Sequence, residues 1–267
     1  MSPFELFLGF ALALWIALVA VARGALSGAG AVGATGIGAI IFAAGGLPWA
    51  ILLVAFFVTS SALSQFKQRA KEPLAEKFQK GQRRDLGQVL ANGGAGALLA
   101  LAFGIAPHPL WFVAFAGAIA AVNADTWATE LGVLSQTPPR AITTGRIVPT
   151  GTSGGVTPLG TCVALCGAGL IGGLASLGQN DLGAGKVFVA VTLAGFLGSL
   201  CDSLLGATAQ AIYFCDAEQT ETEARVHRCG RATRLLRGWR WLDNDRVNFL
   251  ASACGAIIAA GMCVLIG

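Results

Sequence analysis

Apolar residues run along this chain in blocks of about twenty, the length an α-helix needs to cross the hydrocarbon of a bilayer. Read by length, the blocks predict spans at 4–22, 25–45, 48–66, 87–106, 109–133, 157–177, 187–213 and 247–266. The Gly-rich second block and the short connection at 46–48 are the weakest parts of that pattern, so seven spans, or one re-entrant segment, stand as the alternative. The pattern predicts an all-α, polytopic integral membrane protein of about eight transmembrane helices, with residues 1–267 forming one helical membrane domain. The flank of the first block carries Glu5 and no basic residue, and its apolar core is long for a signal peptide, so it is expected to be retained as a span.

Composition agrees: 55% of residues are hydrophobic and 12% charged, the latter about half of what a soluble domain carries. The 37 glycines suit helices packed closely through small side chains. Charge then sets orientation, because short loops rich in Lys and Arg stay in the cytoplasm. Lys67, Arg69, Lys71, Lys77, Lys80, Arg83 and Arg84 fill the loop at about 67–86, and Arg140 and Arg146 lie in the loop at about 134–156. Arg225, Arg228, Arg231, Arg234, Arg237, Arg240 and Arg246 fill the loop at about 214–246, and Arg23 follows the first span. With eight spans, all four segments fall on one side, and Lys186 is the sole exception among 18 basic residues. Both termini are expected outside, with the chain in the plasma (inner) membrane if bacterial.

The unusual residues lie at the cytoplasmic ends of the predicted spans. In "AVNADTWATELG", residues 121–132, the residues Asn123, Asp125, Thr126, Thr129 and Glu130 occupy an arc of about 160° of one helix. Asp125 and Glu130 are separated by ~7.5 Å along that axis, too far for the pair alone to clamp one ion but suited to a phosphate–metal site. A carboxylate in hydrocarbon costs at least a few kcal/mol and requires a cation; the bland alternative is a polar face sealed by hydrogen bonds. In "AGFLGSLCDSLLGATAQ", residues 194–210, Asp202 shares an arc of about 120° with Gly195, Gly198, Ser199, Gly206 and Gln210. That arrangement suits either close approach of a ligand or a packing seam with one buried Asp.

Three further segments add polar groups to the same side. "RRDLGQVLANGG", residues 83–94, puts Asp85, Gln88 and Asn92 on one stripe, with Asp85 also placed to complement a helix dipole. "WLDNDRVNFLAS" brings Asn248 into the last span, behind Asp243 and Asn244 as candidate caps. "IVPTGTSGGVTPLG", residues 147–160, interleaves Gly151, Gly154 and Gly155 with Thr152 and Ser153 just before a helix. Such a loop can aim N–H groups at phosphate, although no Walker lysine follows and Gly/Ser/Thr loops are common turns. The arginines at 225–240 read mainly as a solvated, lipid-facing loop, with one or two of them available for phosphate. Cys215, His227 and Cys229 share that loop, but three ligands fall short of a closed zinc site.

Together these groups predict a site for Mg²⁺, a hard cation usually held by one or two carboxylates plus substrate phosphates. Asp125, Glu130 and Asp202 are the candidate catalytic residues and metal ligands. Asn92, Asn123, Thr129, Gly151, Thr152, Ser153, Gly154, Gly155 and Asn248 are the candidate phosphate and nucleotide contacts. A phosphate donor from the cytoplasm acting at a membrane points to a lipidic acceptor arriving sideways from the bilayer; no nucleic-acid partner is expected.

The ordered motifs "RRDLGQVLANGG", "NADTWATELG", "GTSGGVTPLG" and "GSLCDSLLGATAQ" resemble the integral-membrane family that includes plant and cyanobacterial phytyl-phosphate kinase. The likeness extends to "CG" at 229–230 and "DNDRVNF" at 243–249. It implies conversion of a prenyl monophosphate (phytyl, farnesyl or geranylgeranyl) to the diphosphate, with a nucleoside triphosphate, CTP for preference, as donor. The rival is an ion-coupled secondary transporter with an intramembrane carboxylate site. Against it, the polar residues gather at one face instead of the midplane.

Overall fold

The computed structural model describes residues 3–71, 83–177 and 182–266. Eight long helices run through it: α1 (Pro3–Ala22), α2 (Gly28–Gly45), α3 (Leu47–Gln65), α5 (Leu86–Ile105), α6 (Pro109–Gly132), α7 (Pro158–Leu177), α8 (Ala184–Thr208) and α9 (Asn244–Leu265), with a single turn, α4 (Gln68–Lys71), after α3. Among the described residues, seven of them are long and apolar enough to cross a membrane, and α1 is apolar over Leu6–Ala22. The second block is a full helix. Ser27 caps it by accepting from Gly30 N, and it ends at Gly46, whose φ of 78° turns the chain directly into α3.

The centre of the bundle is α6. Its residues from Phe112 to Ala124 are buried without a break, the pattern of a helix covered on all sides. It packs on α7, α8 and α9, of which α8 also packs on the other two, and on α5 and α3. Small residues permit this closeness. A Cβ at Gly117 would stand 2.5 Å from the carbonyl oxygen of Gly255, and one at Gly195 would stand 2.5 Å from the Ala120 Cβ. Such seams let backbones approach in a medium that offers no hydrophobic drive for helix pairing.

The other three helices are looser. α1 lies chiefly along α2, and α2 packs on α5 and α3. α1 and α3 barely touch, and neither do α3 and α5. This leaves a gap in the bundle wall.

Two small sheets sit on one end of the bundle, where the C-terminal ends of α3, α6 and α8 meet the N-terminal ends of α5, α7 and α9. One pairs β1 (Arg140–Ala141) with β2 (Gly155–Val156); the other orders β4 (Thr220–Thr222), β3 (Ile212–Cys215) and β5 (Arg234–Arg237) antiparallel. The expected seventh span, 187–213, therefore overruns its helix. α8 stops at Thr208, and "IYFC" is instead the central strand of the sheet, with Ile212, Tyr213 and Cys215 buried. Lys77 and Lys80 of the first basic loop lie outside the described residues.

Candidate active site

At that end a polar cavity of about 300 Å³ opens between the helices. Its lining takes Asp125, Thr126, Thr129 and Glu130 from α6, and Ser199, Asp202 and Ser203 from α8. It takes Gln88 and Asn92 from α5, Asn244 and Asn248 from α9, and Thr150 to Thr157 from the loop before α7. Asp125 and Asp202 thus face one space from adjacent helices, and Glu223 lines it as well. Asp202 Oδ2 and Asn92 Oδ1 are buried without a hydrogen-bond partner. A carboxylate oxygen left in that condition calls for a cation, and the donor set of carboxylates, amides and hydroxyls is oxygen-rich, as Mg²⁺ requires.

Positive potential comes from three helix starts. The N-terminal turns of α5, α7 and α9 all border the cavity, each presenting the positive end of a helix dipole. Their caps are local. Asp85 accepts from Gln88 N at 2.9 Å while the Gln88 side chain accepts from Asp85 N, a capping box. Asp243 accepts from Arg246 N, and Thr157 Oγ1 from Gly160 N at 3.0 Å.

The glycine loop borders the cavity, as expected from its place in the chain, and Gly154 also anchors it. That glycine adopts φ 80°, and a Cβ there would come within 2.4 Å of Ala207 Cβ, so the residue seats the loop on the end of α8. Ser153 Oγ donates to Gln210 Oε1 at 2.8 Å, and Gln210 Nε2 donates to Glu223. Arg237 then ties sheet, loop and helix together, donating to the carbonyls of Gly206 and Ala207 at 2.8 Å. Burial lowers its pKa, opposed by Glu221. The loop arginines from 225 to 240 are absent from the cavity lining, and Arg225, Arg234 and Arg237 bond to the protein itself.

Two expectations are corrected. Asn123 is fully buried and outside the cavity: its amide donates to Gly167 O at 2.8 Å and its carbonyl accepts from Thr59 Oγ1 at 3.2 Å. It fastens α6 to α7 and α3, and no group is left for phosphate. Glu130 reaches the cavity, but its cation is an amine. Oε2 lies 2.6 Å from Lys71 Nζ and Oε1 accepts from Ser64 at 2.5 Å.

The cavity's guanidinium is Arg84, a residue that sequence reading left among the loop charges. Its backbone is clamped to the start of α2, donating to Ala25 O and accepting from Ser27 N, both at 3.0 Å. A Cβ at Gly30 would collide with Arg84 O at 2.2 Å, so glycine is needed there. The side chain passes over the rings of Phe56 and Phe57, 5.5 and 5.6 Å from their centroids, and its Nη1 is buried without a partner. Burial lowers its pKa, and the Glu130 carboxylate opposes that shift.

Arg84, Gln88 and Asn92 also line a second cavity, of about 650 Å³. Its other walls are almost wholly apolar. They come from α1 (Leu12, Ile16), α2 (Ile37, Phe42) and α3 (Ala50, Val54), with Leu174 behind. Half-exposed Leu12, Ile51 and Val58 stand on its rim, in the gap between α1 and α3.

Relatives share this architecture's sequence over most of its length. Protein PGR of Arabidopsis thaliana is 34% identical over 229 residues, 77% of this chain and 78% of its own. An uncharacterized membrane protein of Methanocaldococcus jannaschii is 34% identical over 254 residues, 95% of this chain and 92% of its own. Protein VTE6, chloroplastic, of Arabidopsis thaliana is 27% identical over 240 residues, 88% of this chain and 64% of its own. No solved structure matches. With residues 11–256 matching it, the chain belongs to the integral membrane protein family DUF92, consistent with the resemblance carried by its four ordered motifs.

Proposed function

We propose that this protein is a membrane-embedded kinase that converts a prenyl monophosphate to the diphosphate, using a nucleoside triphosphate (CTP is the first candidate) and Mg²⁺. One observation carries the reading: a polar, carboxylate-bearing cavity meets a long apolar one at Arg84, Gln88 and Asn92. A ligand filling both has an anionic head and a hydrocarbon tail. The unpartnered Arg84 Nη1 and Asn92 Oδ1 stand where the two parts join.

In this reading the acceptor's tail lies between α1, α2 and α3, reached sideways from the bilayer, and each buried methylene contributes ~0.8 kcal/mol. Arg84 takes the monophosphate through charge-assisted hydrogen bonds. The donor triphosphate lies against the 150–157 loop and the starts of α7 and α9. An oxygen of the acceptor phosphate attacks the terminal phosphorus of the donor; the bond from that phosphorus to the bridging oxygen breaks, and a nucleoside diphosphate leaves. The acceptor oxygen is already ionised, so no strong general base is needed, and the protein contributes mainly alignment and charge neutralisation. Asp125 and Asp202 would hold Mg²⁺, which when bound neutralises charge on the transferring phosphates. Glu130 acts one step back, holding Lys71 at the edge of the cavity. In this reading the face is cytoplasmic, which the basic loops support.

The test is transfer of label from the terminal phosphate of each nucleotide to farnesyl or phytyl monophosphate by purified protein. Wild type should form the diphosphate only with Mg²⁺ present, and Asp125→Asn should lose at least about a hundredfold in rate. Failure with every nucleotide, together with solute or ion passage across proteoliposomes, overturns the kinase in favour of a transporter.

A further inference from the structure

The cap that walls the polar cavity holds a second cluster. Cys215 ends β3 and is fully buried. The segment after β4 folds back on it. Val226 bridges Ala232, His227 N donates to Arg231 O, and Gly230, with φ 80°, closes the turn by donating to His227 O. This brings His227 and Cys229 to the end of β3. The two sulfurs are 3.7 Å apart, and a ring nitrogen of His227 lies within 4.8 Å of both.

These numbers suit a metal. Two thiolates at ~2.3 Å from one tetrahedral Zn²⁺ stand about 3.8 Å apart, whereas a disulfide needs ~2.05 Å. The histidine carries a second, independent signal. It is 4% exposed, its Nε2 is buried without a hydrogen-bond partner, and its Nδ1 receives only a 3.3 Å contact from Cys229 N. A buried imidazole in that state is short of a partner, and a metal supplies one. Thiolate and imidazole ligands in tetrahedral geometry select zinc over the hard cation of the carboxylate cavity.

We infer that Cys215, His227 and Cys229 form a zinc site with three protein ligands, its fourth position facing solvent beside the exposed Cys229. The sequence alone argued against this because three ligands do not close a structural site; the arrangement is instead an open one. Zinc here cross-links the end of β3 to the 226–232 turn. β3 pairs with β5, and β5 carries Arg237, which grips the end of α8 and, at 3.4 Å, the carbonyl of Ser153. The metal therefore stiffens the cap over the polar cavity, and the inference stands whether or not the kinase reading does.

The experiment is elemental analysis of full-length protein purified without chelator through a tag that contains no histidine. About one zinc per chain is expected in wild type and in Cys201→Ser, and a loss of most of it in Cys215→Ser and Cys229→Ser. His227→Cys, which preserves a ligand, should retain zinc where His227→Ala does not. Because a cysteine variant can fail to fold, wild type is also exchanged with Co²⁺, which should give the visible bands of a tetrahedral thiolate site. Wild type that contains no zinc and takes up neither Zn²⁺ nor Co²⁺ overturns the inference, as does a Cys215–Cys229 disulfide in its peptide map.

Discussion

Lys71 Nζ lies 2.6 Å from Glu130 Oε2, and the two side chains are only 11% and 22% exposed. They join the turn after α3 to the last turn of α6, and so hold in place Glu130, which lines the polar cavity. Removing one partner from a mostly buried pair strands the other charge. Lys71→Met and Glu130→Gln should each destabilise the protein by about 1–3 kcal/mol, discounted from the fully buried case because both groups keep some water. The double variant should lose clearly less than the sum, with coupling of ~1 kcal/mol or more. Additive losses in denaturant titrations would show that the contact is not energetically formed.

Asn123 separates structure from chemistry. Asn123→Ala removes the bonds to Gly167 O and Thr59 that tie α6 to α7 and α3, costing about 1–3 kcal/mol of stability. Catalysis per folded molecule should hold within a few fold, because no atom of Asn123 lines the cavity. A hundredfold fall in rate at unchanged stability would return the residue to the site.

Arg84 should set affinity for the acceptor phosphate. Arg84→Gln loses a charge-assisted bond of ~1.5–3 kcal/mol, about 10- to 100-fold in kcat/KM for the lipid. Arg84→Lys restores the charge without the planar fork and should recover only part of the loss. Equal kinetics in all three proteins would remove Arg84 from substrate binding.

Gly154→Ala should fail by geometry. The residue has φ 80° and no room beside Ala207, so the loop must lift from α8. Activity should fall at least about tenfold, with the change concentrated in the nucleotide KM. Gly145 also has a positive φ, 67°, but has no neighbour within reach of a Cβ. Gly145→Ala is the control for backbone strain alone and should keep the wild-type nucleotide KM.

The spans were legible because a bilayer imposes one length on every crossing helix, and small, apolar residues fill each block. That Asp125, Asp202, Asn92 and Asn248 gather around one cavity was legible for the opposite reason: polar groups inside such blocks carry a cost that drives them toward one another. Partnerships were not legible. The distance along the chain from Lys71 to Glu130 carries no pattern, so the amine that satisfies Glu130 could not be foreseen. Asn123 sits beside Asp125 in sequence but faces α7 instead of the cavity, a difference set by which neighbouring helix covers each face. Arg84 looked like one more loop charge until the clamp on Ala25 and Ser27 turned it inward. An arginine immediately before the Asp85 helix cap was the available signal. The end of α8 was misjudged because β3 is as apolar as a span.

The central claim is that a phosphorylated lipid has its head at Arg84 and its tail between α1, α2 and α3. Photocrosslinking with a prenyl monophosphate that carries a diazirine at the far end of its tail tests this most directly. The account predicts labelled peptides containing Gly9, Phe42 or Ala50, at the end of the apolar cavity remote from Arg84, and loss of that labelling in Ala50→Trp. Labelling confined to the outer faces of α7, α8 and α9, unchanged by Ala50→Trp, would contradict it.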